Sequence, residues 1–450
     1  MTRSRRTRAL LVGLAGVAGA ASVAVPPAGA VEAAPSAEPI ACSPTAADRP
    51  VCPAGADPEG ANFLDPTARL QAPDRVRLEG RVYVGPFAAL IATRAAGIVI
   101  GSESNVQDSV AVQAAARRSA ADTARLADAG LSVTSGVETG ERVILAHGSS
   151  VRGPARIGVL EPGQEAPVQD SGVFVSFGAQ VDGAVLERDS GLSALSRIGP
   201  GLTLPSGLLV LPGKDVQTQA EAEDPALGKV RPLVEADRLF NAGVVEVNEG
   251  LARSYSELAE KDPSAIRGIN VDPGGNSFDV ESDLPTVDGA LCTGPEVAMP
   301  DFRNRIIGDA CFEDSLAGLD DKMGERISIR ADEGGPFGIG TIASMGNAVV
   351  FHALEGTDLE VGDRIQYGPG AIVHGGGRPT LDPTTQLAAP TVIGNDVRLG
   401  ANAVVFRSLV KNGAVLGRKS LVVGSQLEIG QVIPARTIFA NDKVFGPVEW

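Results

Sequence analysis

The chain has 450 residues, a net charge of −16, and 43% hydrophobic but only 4% aromatic residues. A surface this acidic argues against nucleic acid or anionic lipid as a partner. The length allows two or three domains, and Val, Ile and Leu recur too regularly for a disordered chain.

The first residues carry an address. Arg3, Arg5, Arg6 and Arg8 precede an apolar run from Ala9 to Val25, and Ala28-Gly29-Ala30 offers a small-x-small cleavage site. This pattern predicts a signal peptide over residues 1–30 and a secreted or extracytoplasmic protein. A membrane anchor is the rival reading, disfavoured because the run is short, glycine-rich and ends in Pro26-Pro27. No other stretch is apolar enough to span a bilayer, so no membrane contact is expected after removal of the leader. Ser4-Arg5-Arg6 keeps the twin-arginine route open beside general secretion. Residues 31–60 are expected to be a disordered, cysteine-containing segment. The four cysteines form two local pairs, Cys42-Cys52 and Cys292-Cys311, for which an oxidising compartment predicts disulfides. Zinc ligation by these cysteines is the rival, and their spacing speaks against it.

The body of the chain repeats every six residues. Ile100, Val106 and Val112 are spaced so, as are Leu145, Val151 and Ile157, then Ile393, Leu399 and Val405, then Val410, Leu416 and Val422. A strand repeats every two residues and a helix every 3.6, so six implies one aliphatic residue per flat side of a triangular coil. Glycines follow several of these residues, as in Ile157-Gly158 and Leu399-Gly400, where tight corners are needed. The fold class expected is mainly β: two left-handed parallel β-helices with an α-helical segment after the first. The first unit is placed at 61–228, the helical segment at 229–262, a Gly/Asp/Ser/Pro-rich linker at 263–295 and the second unit at 296–450. Within the helical segment, Val244-Val245-Glu246-Val247 reads as a short strand that interrupts it.

Local motifs add a family. Phe63-Leu64-Asp65-Pro66-Thr67-Ala68, Ile100-Gly101-Ser102-Glu103-Ser104-Asn105-Val106-Gln107-Asp108 and Leu145-Ala146-His147-Gly148-Ser149-Ser150-Val151-Arg152 resemble the gamma-class carbonic anhydrases in order and spacing. Ser328-Ile329-Arg330-Ala331-Asp332-Glu333-Gly334 and Val349-Val350-Phe351-His352-Ala353-Leu354-Glu355 resemble the same family a second time. The resemblance implies oligomers built through the β-helix faces, here with a homologous subunit as one way to complete them. It also implies a metal between subunits, zinc or another divalent ion such as Fe or Co. Two histidines come from one subunit, one from its neighbour, and a fourth position is left for water. Such a metal lowers the water's pKa to about 7, giving a hydroxide that attacks CO2 to form bicarbonate.

Neither unit keeps the whole ligand set. In the first, His147 matches the histidine donated across the interface, while Gln113 and Arg152 occupy the other two positions. In the second, His352 and His374 match the pair and the donated position falls near Pro369. The three histidines of the chain are thus a complementary set. Accessory residues divide similarly. Asn105, Gln107 and Asp108 remain in the first unit, against Ser344, Gly346 and Asn347 in the second. Arg330, Asp332, Glu333 and Glu355 remain in the second, against Ala92 and Arg94 in the first, and Asn248 matches an active-site Asn of the family.

The expectation is one composite site between the units. His147, His352 and His374 hold the metal. Gln107 orients the bound water or bicarbonate, Asn248 assists, Glu333 and Glu355 move protons, and Arg330 pairs with Asp108 or Asp332 at the interface. The bland alternative is a catalytically inactive scaffold or binding protein in which the histidines are remnants. A third class, hexapeptide acyltransferases using a His as base, is disfavoured because an exported protein lacks ready access to acyl-CoA.

Overall fold

The computed structural model describes residues 51–52, 62–261 and 303–450, apart from positions 309, 315, 334–336, 355–356 and 379–388. The leader, the linker at 263–295, Cys42, Cys292 and Glu355, and with the two cysteines the expected disulfides, therefore lie outside the described residues. Among the described residues no helix is long and apolar enough to cross a membrane.

Short strands wind into two separate coils. In the first unit they stack into sheets of nine, seven and six strands, and in the second into sheets of eight, six and five. Consecutive strands in a sheet come from successive turns and pair in parallel, as Val143–Leu145 does with Asn105–Val106 below and Val173–Val175 above. Three sheets around one axis make a triangular prism, and the whole is two left-handed parallel β-helices in tandem. The six-residue ladder fills the prisms: Ile100, Val106, Val112, Leu145, Val151 and Ile157 lie in one core, Ile393, Leu399, Val405, Val410, Leu416 and Val422 in the other. Successive turns approach so closely at some corners that only glycine fits. A Cβ on Gly140 would lie 2.0 Å from the carbonyl oxygen of Gly158.

Both coils end in antiparallel strands, which stop the stacking. Val230–Pro232 pairs with Leu208–Val210 in the first unit, and Lys443–Pro447 with Thr437–Ala440 in the second. Val51–Cys52, within the segment expected to be disordered, pairs antiparallel with Asn62–Leu64. The stretch from 229 begins as this closing strand, so the helix starts later than expected.

Four α-helices are described: α1 (Ala120–Asp128), α2 (Gln219–Glu223), α3 (Glu235–Lys261) and α4 (Leu316–Lys322). Helix α1 lies in an insertion of the first coil that the hexapeptide pattern hides. It is capped by Ser119 in a capping box with Asp122. Helix α3 is continuous, and the expected strand over Val244–Val247 is not there. Asn241, Val245, Asn248, Ala252 and Tyr255 recur at spacings of four and three and are all buried. That stripe lies against the first unit and the interface, and the burial outweighs the β preference of three valines.

The units dock sheet to sheet. Alternation along each strand decides which side chains are available. In Val143–Leu145 the outer residues fill the core and Ile144 points out. In Val350–His352 and Ile372–His374 the middle residue fills the core, leaving Val350, His352, Ile372 and His374 outside. Ile144, Ala146, Phe177, Leu195 and Val245 of the first part meet Val350, Ile372, Val404, Leu421 and Ile438 of the second in one apolar cluster. The last residue seals it: Trp450 donates its indole N–H to the carbonyl of Leu195 at 2.7 Å.

Candidate metal centre

Each histidine is placed by the coil register. His352 and His374 are direct partners on adjacent parallel strands, and Phe406 follows in the same column. His147 sits on a corner just after Val143–Leu145. Its coil neighbours there are Asp108 below and Phe177 above, as the hydrogen bonds from Gly148 N to Asp108 O (2.9 Å) and from Gly178 N to His147 O (3.1 Å) record. A corner side chain projects beyond the sheet plane, so His147 reaches into the facing unit.

The three rings converge. His147 Nε2 lies 3.1 Å from His352 Nδ1, which lies 3.2 Å from His374 Nε2. All three side chains are buried, and their ligand atoms fall within 4.8 Å of one another. The nitrogens on the far side of each ring face acceptors. His147 Nδ1 is 2.8 Å from Asp108 Oδ2, and His352 Nε2 is 3.0 Å from Glu333 Oε1 and 3.5 Å from Asp332 Oδ1. Both near contacts are bent from an ideal hydrogen-bond line. His374 Nδ1 is 2.6 Å from the carbonyl oxygen of Gly375 and donates to it. Acceptors on the far side draw one proton of each imidazole there, so that with all three rings neutral the three lone pairs point at one spot.

That donor set fits a divalent metal. Nitrogens at about 2.0–2.1 Å from a tetrahedral zinc stand roughly 3.3–3.4 Å apart, close to the separations here. Among the described residues three carboxylates (Asp108, Asp332 and Glu333) and one guanidinium, Arg330, lie around the histidines, a formal surplus of negative charge that a divalent cation would offset. Burial pushes His147 down to about 4, although the Asp108 contact opposes it, and burial also holds His374 well below its usual value. Both are therefore neutral and ready to ligate at neutral pH. For His352, burial and Arg330 push the pKa down, but Glu333 and Asp332 together outweigh them and raise it to about 9. Without metal this ring holds an extra proton, which a metal must displace.

Arg330 joins the units. Its guanidinium lies 3.0–3.3 Å from both oxygens of Asp108 and 2.6 Å from Asp332 Oδ2. Burial would raise Asp108 and Asp332, but Arg330 dominates and both are held well below the carboxylate range. Ser328 Oγ donates to Asp108 at 2.7 Å, and Arg305 pairs with Asp65 at 3.0 Å in a second buried crossing.

The other expected residues divide. Gln107 is buried beside His147 and accepts from its backbone N–H at 3.2 Å. Asn105 follows Tyr83 in the docking-sheet column and precedes Ile144. Both of its side-chain polar atoms are buried without a partner, as is Asn248 Oδ1 on α3. Glu333 stands against His352 and is buried, not a surface carboxylate. Gln113 and Arg152 face away: they are exposed register partners on a different sheet of the first unit, and Arg152 leans on Asp182 at 3.5 Å. Asn347 accepts from Glu325 N at 3.0 Å and is a corner residue of the second coil, as is Pro369. Ala92 is buried and Arg94 exposed.

Sequence reasoning missed Phe177 and Phe406. Phe177 stacks on His147 with centroids 5.9 Å apart and lies 4.9 Å from His374, and Phe406 lies 5.4 Å from His374. Counting corner and strand columns coil by coil finds both. It also missed Tyr83, which the column of Asn105 and Ile144 marks, and Tyr255, which no repeat position marks.

No family model matches the chain. It is 29% identical over 207 residues to a protein named carbonic anhydrase from Methanosarcina thermophila, covering 44% of this chain and 77% of that one. It is also 29% identical over 116 residues to the carboxysome assembly protein CcmM of a Nostoc species, spanning only 20% of that protein's length. A hexapeptide transferase family protein from Anaplasma phagocytophilum is 22% identical, with a TM-score of 0.24 over 44% of this chain and 93% of that one. At that score the fold rests on the strand pairing of the chain itself. The strand pairing and the site define a hexapeptide-repeat β-helix protein with a buried three-histidine cluster. The chain is similar to the gamma-class carbonic anhydrases, and it carries the hexapeptide-repeat β-helix in two tandem copies.

Proposed function

We propose that this protein is an exported carbonic-anhydrase-like enzyme, hydrating CO2 reversibly to bicarbonate at one composite metal site between its two units. The observation that carries the reading is the convergence of His147, His352 and His374 from both units, each with its outer nitrogen against an acceptor. These three side chains would hold the ion, zinc or another divalent metal. Such a metal supplies Lewis acidity, which makes water a nucleophile at neutral pH. The remaining residues prepare the place. Phe177 and Phe406 wall His147 and His374 and exclude water from that side. Gln107, Asn105 and Asn248 offer buried polar atoms that orient a small polar reactant. Glu333 holds the outer nitrogen of His352 and can take a proton from it; Glu355 is proposed to pass protons to solvent.

The test is metal analysis of the purified full chain with each histidine changed in turn. The wild type is expected to hold one metal per chain and His147→Ala less than a tenth of that, with CO2 hydration lost in parallel. Full metal in His147→Ala would refute the composite site.

A second reading draws on the similarity to a carboxysome assembly protein: a catalytically inactive scaffold that retains the metal or only the histidines. Bound metal with no CO2 hydration would favour it. The basic leader motivates the export proposal, which amino-terminal sequencing of the secreted protein checks.

A further inference from the structure

We infer that Tyr255, on the helix after the first unit, is a positioning residue for the metal centre, acting through Asp332 of the second unit. The inference rests on the metal-site reading above and adds a residue that no ligand motif marks.

The Tyr255 hydroxyl donates to Asp332 Oδ2 at 2.6 Å, and Arg330 Nη1 donates to the same oxygen at 2.6 Å. Two donors on Oδ2 fix the carboxylate plane and leave Oδ1 facing His352 Nε2 at 3.5 Å. Oδ1 has no other partner among the described residues. Without the hydroxyl, Arg330 is the remaining donor to Oδ2. Asp332 is then free to turn about its side-chain bond and bring both oxygens to the guanidinium, the fork geometry that pair prefers. That rotation takes Oδ1 away from His352. Glu333 alone then holds the ring, and its orientation loosens.

The tyrosine is built to resist such movement. Its ring stacks on Phe63 with centroids 4.7 Å apart, and Tyr83 lies 6.1 Å away with Arg330 over its face at 5.6 Å. It lies in the buried stripe of α3 and is 1% exposed. A buried hydroxyl at the end of a packed ring has few rotamers to lose, so it orients its acceptor at low entropic cost. The helix also links the two units. It follows the first in sequence, and its tyrosine reaches the carboxylate that orients a histidine of the second.

The experiment uses the full chain, stripped by chelator and titrated with cobalt(II), whose visible absorption reports ligand geometry. Tyr255→Phe keeps the ring and removes only the hydroxyl. Outer partners of metal ligands cost 10–100-fold in affinity when lost, and we expect about tenfold here, with a shifted cobalt band. Thermal midpoints with and without cobalt separate a positioning role from a structural one. A structural hydroxyl lowers both equally, whereas a positioning hydroxyl shrinks the rise that cobalt produces. Unchanged affinity and band in Tyr255→Phe, or equal lowering of both midpoints, overturns the inference while leaving the metal site standing. Failure of the wild type to take cobalt overturns the metal-site reading itself, and the inference with it. A readout on the unaltered chain guards against misfolding of the variant. The protein has three tyrosines. In fluorotyrosine-labelled protein the Tyr255 fluorine resonance should move on zinc loading, and a fixed resonance counts against the link.

Discussion

Removing the Arg330 guanidinium tests the joint between the units. Arg330→Met keeps most of the volume and deletes the charge. The side chain is 1% exposed, and Asp108 and Asp332, both fully buried, lie on either side of it. Breaking a buried pair by deleting one partner costs about 3–5 kcal/mol, because the other charge is left uncompensated. Here two carboxylates lose their shared partner, so the upper part of that range applies. Added salt should recover little of the loss, since screening hardly reaches buried charges. The chain carries its own probe: its single tryptophan, Trp450, is tied to Leu195 across the units. Urea unfolding of chelator-treated protein should show the Trp450 transition at clearly lower urea in Arg330→Met, while circular dichroism of the coils follows later. A change below about 1 kcal/mol, the scale of an exposed pair, would refute the view of Arg330 as the clamp. Asp108→Asn in the same chain should recover part of the loss, because it removes one uncompensated charge.

Two further predictions concern the scaffold. Burial alone would raise Glu449, but Lys229, the backbone of Asp215 and Lys214 hold it down to about 2, against 4.5 unperturbed. A folded pKa below the unfolded one gives stability that is present above about pH 4.5 and lost as pH falls through 2. Glu449 ties the end of the second unit to the first, so acid should release Trp450 in that window, and Glu449→Gln should flatten the dependence, by no more than about 1 kcal/mol for a surface cluster. A Cβ at Gly140 would meet the Gly158 carbonyl at 2.0 Å, whereas one at Gly338 meets nothing within 4 Å. Gly140→Ala is therefore expected to cost about 3 kcal/mol in urea unfolding and Gly338→Ala close to nothing; equal effects would contradict the close stacking of turns.

Much of the architecture was legible because a β-helix is local. Leu145, Val151 and Ile157 each meet the turn above and below, so the six-residue repeat states the core directly. The insertion with α1 broke the repeat and stayed hidden, and the valines of α3 suggested a strand because their burial against another element cannot be seen in a local window. The three-histidine cluster was legible as chemistry. Three histidines at three complementary positions, one in the first unit and two in the second, implied a single shared site.

What the residues alone determined, then, is the pair of coils and the identity of the converging side chains. What tertiary structure decided is which faces meet. His147 and His352 are 205 positions apart, and only the docking of an apolar outer column on each unit brings them to contact. The same docking turns Gln113 and Arg152 away, puts Arg330 between Asp108 and Asp332, and carries Tyr255 onto Asp332. Period and spacing describe what a strand does with its neighbours. They say nothing about the outer surface it presents to a partner, because that depends on the summed shape and charge of every turn at once.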